Sequence, residues 1–327
     1  MRPLPERLQA ARAARAPLLA DPRTTALRLL NGEADGVPDV TADAFGDGGA
    51  LVVLSLYRDF TPQEEAALVE AAVAAWRPRS LYLKRRPREA RVVANTQKAQ
   101  LAPEVPAWGE AVEALEAREN GLQFLIRPAQ GLSVGLYLDM RDTRAWLQGQ
   151  VSGRTVLNLF AYTCAFGVAA KAGGAARVLN VDASRRVLEW GEENARLNGQ
   201  GVDRYDYVAG DVFDWLERLA KKAERFDVVV CDPPSFATTR SSRFSAARDY
   251  AALAESAARV VAPGGRLVAC CNHAGLEARR FEAQVRQGAL QAGRTVRPVA
   301  SLGPSALDFP EPPSAPAALK VRVVELP

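Results

Sequence analysis

Two rhythms of apolar and polar positions divide the chain. Between residues 24 and 128 the apolar positions fall into short runs. TTALRLL, VPDVTADAF, ALVVLSL, SLYLKRR and ARVVAN read as strands, with one helical stretch, EEAALVEAAVAAW, among them. EALEAR and LQFLIRP flank Glu119-Asn120-Gly121, and Asn-Gly is the pair that a tight hairpin turn prefers. These runs predict a small α+β domain over residues 24–128, behind an exposed helical extension over residues 1–23.

From residue 129 the period alternates between strand and helix. RTVLNLF precedes CAFGVAAKAGG, ARVLNVD precedes SRRVLEWGEENARLNGQ, and DYVAG precedes DVFDWLERLAKKAE. FDVVVCD leads through a long loop to a helix near 245–262, and GGRLVACCN to one near 276–292. Such alternation predicts an α/β domain over residues 129–327 with a doubly wound parallel sheet. Ligands of these sheets bind beyond the carboxyl ends of the strands, so those ends carry the candidate chemistry.

Composition narrows the class. The 327 residues are 48% hydrophobic and 24% charged, which suits a soluble globular protein of two domains. No apolar run reaches the ~18 residues of a bilayer span. The N-terminus lacks the apolar core of a secretory signal, and Glu6 and Asp21 argue against a transit peptide. The four cysteines, 164, 231, 270 and 271, have neither zinc spacing nor a plausible disulfide partner, so a reducing cytoplasm is expected and no metal. Net charge is only +4, yet residues 77–91 concentrate Arg77, Arg79, Lys84, Arg85, Arg86, Arg88 and Arg91 against Glu89. That density suits phosphate contacts to RNA, and it equally suits a solvated hairpin edge.

The strand ends narrow it further. VLNLFAYTCAFG offers only Gly167 where a pyrophosphate-binding turn would need several glycines, which counts against pyrophosphate. Asp182 ends the next strand, where a carboxylate accepts both hydroxyls of a ribose or caps the helix behind Ala183-Ser184. Asp211 offers the same two readings, as acceptor for an adenine amine with Val212 or Phe213 over the ring, or as a helix cap. An adenosine not attached to phosphate points to S-adenosylmethionine (SAM). In GLYLDMRDTR, Asp139 matches its ammonium and Arg141 its carboxylate. In CDPPSF, proline stops the strand and stiffens the backbone beyond it. Asp232 and a prolyl carbonyl (Pro233, Pro234) can then accept from a base N–H while Phe236 stacks on the ring.

In their order, VLNLFAYT, ARVLNVD, GDVFDWL, CDPPSF and PGGRLVACCNHAG resemble a class I SAM-dependent methyltransferase. RLLNGEADGVPDVTADAFGD, ENGLQFLI, GLYLDMRDTR and CDPPSF are similar, more narrowly, to the large-subunit rRNA methyltransferases of the RlmI and RlmK type. The resemblance covers most of residues 24–327. It implies a Rossmann-like, seven-stranded methyltransferase domain after the α+β domain, SAM as cofactor and S-adenosylhomocysteine (SAH) as product. It also implies a cofactor site at Tyr137, Asp139, Arg141, Asn158, Phe160, Tyr162, Thr163, Asp182, Ala183, Ser184, Asp211, Val212, Phe213 and Asp232, with a base entering near Pro233, Pro234 and Phe236. The partner implied is rRNA, with Lys84, Arg85, Arg86 and Arg88 as phosphate contacts; no membrane is involved, and a homodimer is compatible with the sequence. Three departures stand out: no counterpart of the PUA domain of the cytosine enzymes, Cys164-Ala165 where relatives often carry two glycines, and Ser133-Val134 where they carry Lys-Thr.

The methylated atom depends on one register. Carbon-5 of cytosine requires a cysteine thiolate that adds to C6, whereas a ring or amine nitrogen needs only orientation. Counted from Gly265, the family's cysteine position falls on Asn272, which the guanine-type members share, and Cys271 lies one place early. A one-residue offset turns the side chain to the other face, which favours nitrogen unless a bulge restores the register. His273, the only histidine, is a candidate proton acceptor or a structural residue. A methyltransferase for a small aromatic metabolite and a non-catalytic RNA-binding assembly factor are the rival readings.

Overall fold

The computed structural model describes residues 2–86, 101–238, 243–312 and 318–327, without the side chains of 236–238 and 243. They divide into two compact units, Met1–Asp139 with Ser305–Pro316, and Met140–Pro304 with Ala317–Pro327.

The first unit begins with α1 (Leu4–Ala14). Its five-stranded sheet follows, in the order β1 (Ala26–Asn31), β2 (Val40–Phe45), β3 (Leu51–Leu56), β4 (Ser80–Arg85) and β5 (Trp108–Gly109). β3 and β4 run parallel because α2 (Pro62–Trp76) crosses between them. Thr61 and Glu64 bond reciprocally across the start of α2, Pro62 occupies its first position, and Arg77 closes it in a left-handed conformation. Leu68, Ala72 and Trp76 pack on β1 to β4, together with Leu8 and Ala11 of α1. The expected exposed extension is thus part of the core, and Trp76 Nε1 donates to the Leu8 carbonyl at 3.2 Å. β6 (Leu115–Glu119) and β7 (Leu122–Ile126) form the expected hairpin, with Asn120 and Gly121 both at positive φ. Of the predicted strands, ARVVAN lies outside the described residues.

Two segments join this unit that the sequence reading put elsewhere. The loop over 127–134 is closed by Arg127 N donating to Val134 O at 2.9 Å. Its tip is held by Lys84 Nζ on the Gly131 carbonyl, 2.9 Å, and by Arg86 on the Leu132 carbonyl. Residues 305–316 return because the Asp308 carboxylate accepts Arg28 N at 3.1 Å and its carbonyl accepts Arg15 Nη2 at 3.2 Å. Buried Arg15 is also bidentate to Asp35, at 2.7 and 2.6 Å.

The second unit alternates as predicted. α3 (Arg141–Gln148), β8 (Thr155–Leu159), α4 (Ala165–Ala172), β9 (Arg177–Asp182), α5 (Arg185–Leu197), β10 (Tyr207–Ala209) and α6 (Val212–Lys221) come first. β11 (Phe226–Cys231), α7 (Ala246–Ala258), β14 (Val261–Asn272) and α8 (Ala278–Gln291) follow, with a two-stranded ribbon, β12 (Phe236–Thr238) and β13 (Arg243–Ser245), inside the expected loop. The last strands, β15 (Arg297–Leu302) and β16 (Leu319–Leu326), complete a seven-stranded sheet of order β10-β9-β8-β11-β14-β16-β15. β10, β9, β8, β11 and β14 are parallel and β16 is antiparallel to β14. Alternate residues of the central strands feed two cores. Leu157, Val229, Leu267 and Cys271 meet α6 to α8, and Val156, Val228, Val268 and Cys270 meet α3 and α4. The Asp227 carboxylate accepts both Thr155 N and Thr155 Oγ1 at 2.8 Å, which fixes β11 against β8.

Candidate active site

The carboxyl ends of β8, β9, β10 and β11 lie side by side, and most of the predicted residues of this unit follow them directly. Leu159 pairs with Cys231 and Ala209 with Asp182, so Phe160 and Asp232 leave neighbouring strands at one level. The turn after β8 bends without glycine: Phe160, Tyr162 and Cys164 all take left-handed φ, 56°, 48° and 58°. Such a conformation costs an ordinary residue roughly 1–2 kcal/mol. The surroundings hold it there. Tyr162 N donates to Asp182 Oδ2 at 2.8 Å, and the Thr163 carbonyl accepts the Asn194 side chain at 3.0 Å. α5 approaches the turn through Gly191, where a Cβ would lie 2.4 Å from the Cys164 sulfur.

Asp182 is half-buried, and its other oxygen accepts Ser184 N at 2.9 Å, so it does order the start of α5. Each carboxylate oxygen accepts two bonds, so both keep capacity for a diol. Ala183 and Ser184 are exposed beside it. Asp211 caps α6 through Oδ1, which accepts Phe213 N at 2.8 Å. Its Oδ2 is buried and has no hydrogen-bond partner, an acceptor aimed at nothing in the protein. Of the two residues proposed to cover a ring, Val212 is in the core and Phe213 is half-buried, edge-on to Phe160 at 6.5 Å and 5.9 Å from Phe244. Phe244 was not predicted; its strand has no alternating pattern that would reveal it. Asn158 is buried, bonded to Asn180 at 2.9 Å, with its own amide oxygen unpartnered.

Beyond β11 the elbow is tied on two sides. Pro233 is buried, Asp232 half-buried and Pro234 exposed. Ser235 Oγ donates to the Asn272 carbonyl at 2.5 Å, and the Ser235 carbonyl accepts Ala246 N at 3.0 Å. DPPS and the end of β14 are therefore one assembly. Phe236 opens β12 opposite Ser245, and its ring lies outside the described side chains.

The register of β14 against β16 is unbroken. Gly265 to Asn272 pair with Leu326 to Leu319 without a bulge, so Cys271 and Asn272 face opposite ways. Cys271 is fully buried in the core under α7 and α8 and Asn272 is exposed. Burial pushes the Cys271 thiol up, against the pull of Lys320 across the strand pair. Lys320 Nζ in turn holds the His273 carbonyl at 2.8 Å. A thiol held in the core with its ionisation disfavoured is a poor nucleophile, which argues against Cys271 as a catalytic residue.

Tyr137 and Asp139 belong to the first unit, on and just before the turn Leu138–Met140; Tyr137 Oη accepts from Ser133 Oγ at 2.7 Å. Arg141 opens α3 and is buried. Of the basic segment, Lys84 is turned inward instead of offering the expected phosphate contact. Lys84 is fully buried, with burial and neighbouring Arg86 depressing its ammonium to about 7. Arg85 is paired with Glu65, Arg86 bonds Ser55 Oγ at 3.1 Å, and Arg88 lies outside the described residues. A β4 flanked by β3 and β5 turns alternate side chains inward, which the charge count cannot reveal. Among the described residues no group of His, Cys, Asp and Glu could hold a metal, and no helix is long and apolar enough to cross a membrane.

Comparison with known proteins agrees with this geometry. The family model described as S-adenosylmethionine-dependent methyltransferase matches residues 27–289. The ribosomal RNA large subunit methyltransferase I of Aeromonas salmonicida is 34% identical over 291 residues, covering 88% of this chain and 71% of that protein. The protein of the same name from Photobacterium profundum is 33% identical over 303 residues, 92% and 74% of the two chains. A solved SAM-dependent methyltransferase structure from Streptococcus mutans superposes with a TM-score of 0.86 at 27% identity, covering 98% of this chain and 80% of that one.

Proposed function

The chain belongs to the S-adenosylmethionine-dependent methyltransferases, and from that premise we propose that it methylates a nitrogen of a nucleobase in large-subunit rRNA. The names of its relatives support the RNA. The observation that carries the choice of nitrogen is the unbroken β14 register, which buries Cys271 and exposes Asn272 beside the DPPS elbow.

The residues fit the cofactor. Asp211 Oδ2, buried and unpartnered, would accept the adenine amine, and Asp182 the ribose hydroxyls. Arg141 and Asp139 would serve the carboxylate and ammonium of the methionine portion. When bound, SAM supplies an electrophilic methyl group on a sulfonium. The protein's part is orientation. Asp232 and the prolyl carbonyl accept hydrogen bonds from the N–H groups of the target base, which turns a nitrogen lone pair toward the methyl, and the Asp232 carboxylate takes the proton as it leaves. Pro233 and Pro234 keep these acceptors from relaxing, and the Asn272 amide offers a donor and an acceptor to the base edge.

Labelled SAM and protein-free large-subunit rRNA, followed by nucleoside analysis, test the proposal. An N-methylated base is expected. 5-Methylcytidine would refute the nitrogen assignment, and methylation confined to a small-molecule extract would refute the RNA.

A further inference from the structure

With Lys84 buried and Arg85 paired with Glu65, neither offers a free phosphate contact, and the arginines of the second unit supply another candidate. Several are committed to carboxylates: Arg177 to Glu224, Arg185 and Arg196 to Glu192, Arg259 to Glu255, Arg297 to Glu325. Arg248, Arg279 and Arg280 are exposed and make no ion pair or hydrogen bond among the described residues.

These three lie together in the fold. Gln284 Nε2 of α8 donates to the Ala247 carbonyl of α7 at 3.1 Å, and Gly288, one turn on, packs against Ala251 and Glu255. The two helices therefore run parallel, with the first turn of α7 beside the second turn of α8. Arg248 follows Ala247, and Arg280 precedes Gln284 by four residues, so both flank the outer side of the seam. Arg279 adds a third cation in the same turn. That end of the seam is the active-site end: α7 is joined to the elbow by Ser235 O and Ala246 N, and α8 follows Asn272 after a short connection. The nearby carboxylates do not cancel it. Asp249 accepts Ser245 N at 2.7 Å, and Glu277, exposed ahead of α8, pairs with none of the three.

We propose that Arg248, Arg279 and Arg280 form a phosphate-binding rim that holds the RNA backbone flanking the target nucleotide. The inference rests on the RNA reading and deepens it. Three unpaired guanidiniums beside the base-binding elbow complement a polyanion, and guanidinium geometry matches phosphate oxygens. Such contacts place the strand without reading its sequence, leaving discrimination to the elbow and Asn272.

The test is the triple variant R248Q/R279Q/R280Q in the full chain. Binding of protein-free large-subunit rRNA is followed by fluorescence anisotropy across a salt series, with SAH binding by calorimetry as control. Each phosphate contact contributes ~0.7 to ~0.9 to the salt slope. The variant is expected to lower the slope by about 2 to 3 and to weaken RNA binding roughly 50- to 150-fold near 0.15 M salt. SAH affinity should be unchanged. R259Q, which removes an arginine already paired with Glu255, should leave the slope as in the wild type. A triple variant with the wild-type slope overturns the rim alone. A wild-type protein that binds SAH but neither binds nor methylates rRNA overturns the RNA reading and the rim with it.

Discussion

Asp211 allows the cofactor assignment to be tested without confusing binding with folding, because its two oxygens have separate jobs. Oδ1 caps α6, and Oδ2 is buried and unbonded. Asp211→Asn keeps an amide oxygen for the cap and replaces the orphan acceptor by a donor. The cofactor-free protein then loses no cap and exchanges one unpartnered polar group for another. Its melting temperature should hold within a few degrees. SAM binding loses a hydrogen bond to a charged acceptor, about 1.5–3 kcal/mol, and the adenine amine now meets another donor. Calorimetry with SAH should show affinity weakened roughly 10- to 150-fold, at 1.4 kcal/mol per tenfold. Asp211→Ala removes the cap as well and should lower stability by about 0.5–2 kcal/mol. Wild-type SAH affinity in a folded Asp211→Asn protein would refute the reasoning, since the orphan oxygen would then face no ligand.

Three further outcomes are expected from the packing. Cys271→Ala should keep methyl transfer within a few-fold while costing about 1–2 kcal/mol in urea melts, and Asn272→Ala should lower kcat without that cost; loss of transfer in Cys271→Ala would restore the carbon-5 mechanism. Lys84 titrates near 7 when folded and near ~10.4 when unfolded, so between these values the unfolded chain binds more protons and stability rises with pH. The gain from pH 7 to 9 should be about 2 kcal/mol in the wild type and absent in Lys84→Met, and equal slopes in the two would disprove the shift. Gly191→Ala places a Cβ 2.4 Å from the Cys164 sulfur and should cost about 1–3 kcal/mol, most of it recovered in Cys164→Gly/Gly191→Ala.

The strand and helix alternation from Thr155 to Gln291 was legible because buried parallel strands and amphipathic helices have distinct periods. The Asn120-Gly121 hairpin and the positions of Asp182, Asp211 and Asp232 at strand ends were legible for the same local reasons. What escaped was set by distant partners. Lys84 reads as a surface charge until Gly131 is seen to cover it, and Leu8 reads as exposed until Trp76 is brought to it. The choice between Cys271 and Asn272 required the pairing with β16, a strand the sequence reading did not identify. Phe244 and Ser235 owe their places to a ribbon and an elbow, neither of which has a period.

The chain passes from one unit to the other at three points, after Asp139, after Pro304 and around Pro316–Ala317. No single cut can therefore liberate either half intact. A fragment ending at 139 would lack the Asp308 carboxylate that receives Arg28 N and the carbonyl that receives Arg15, leaving two interior donors dry. A fragment starting at 140 would carry residues 305–316 as an orphaned excursion between β15 and β16. Grafting either lobe alone would first require the excursion over 305–316 to be rerouted.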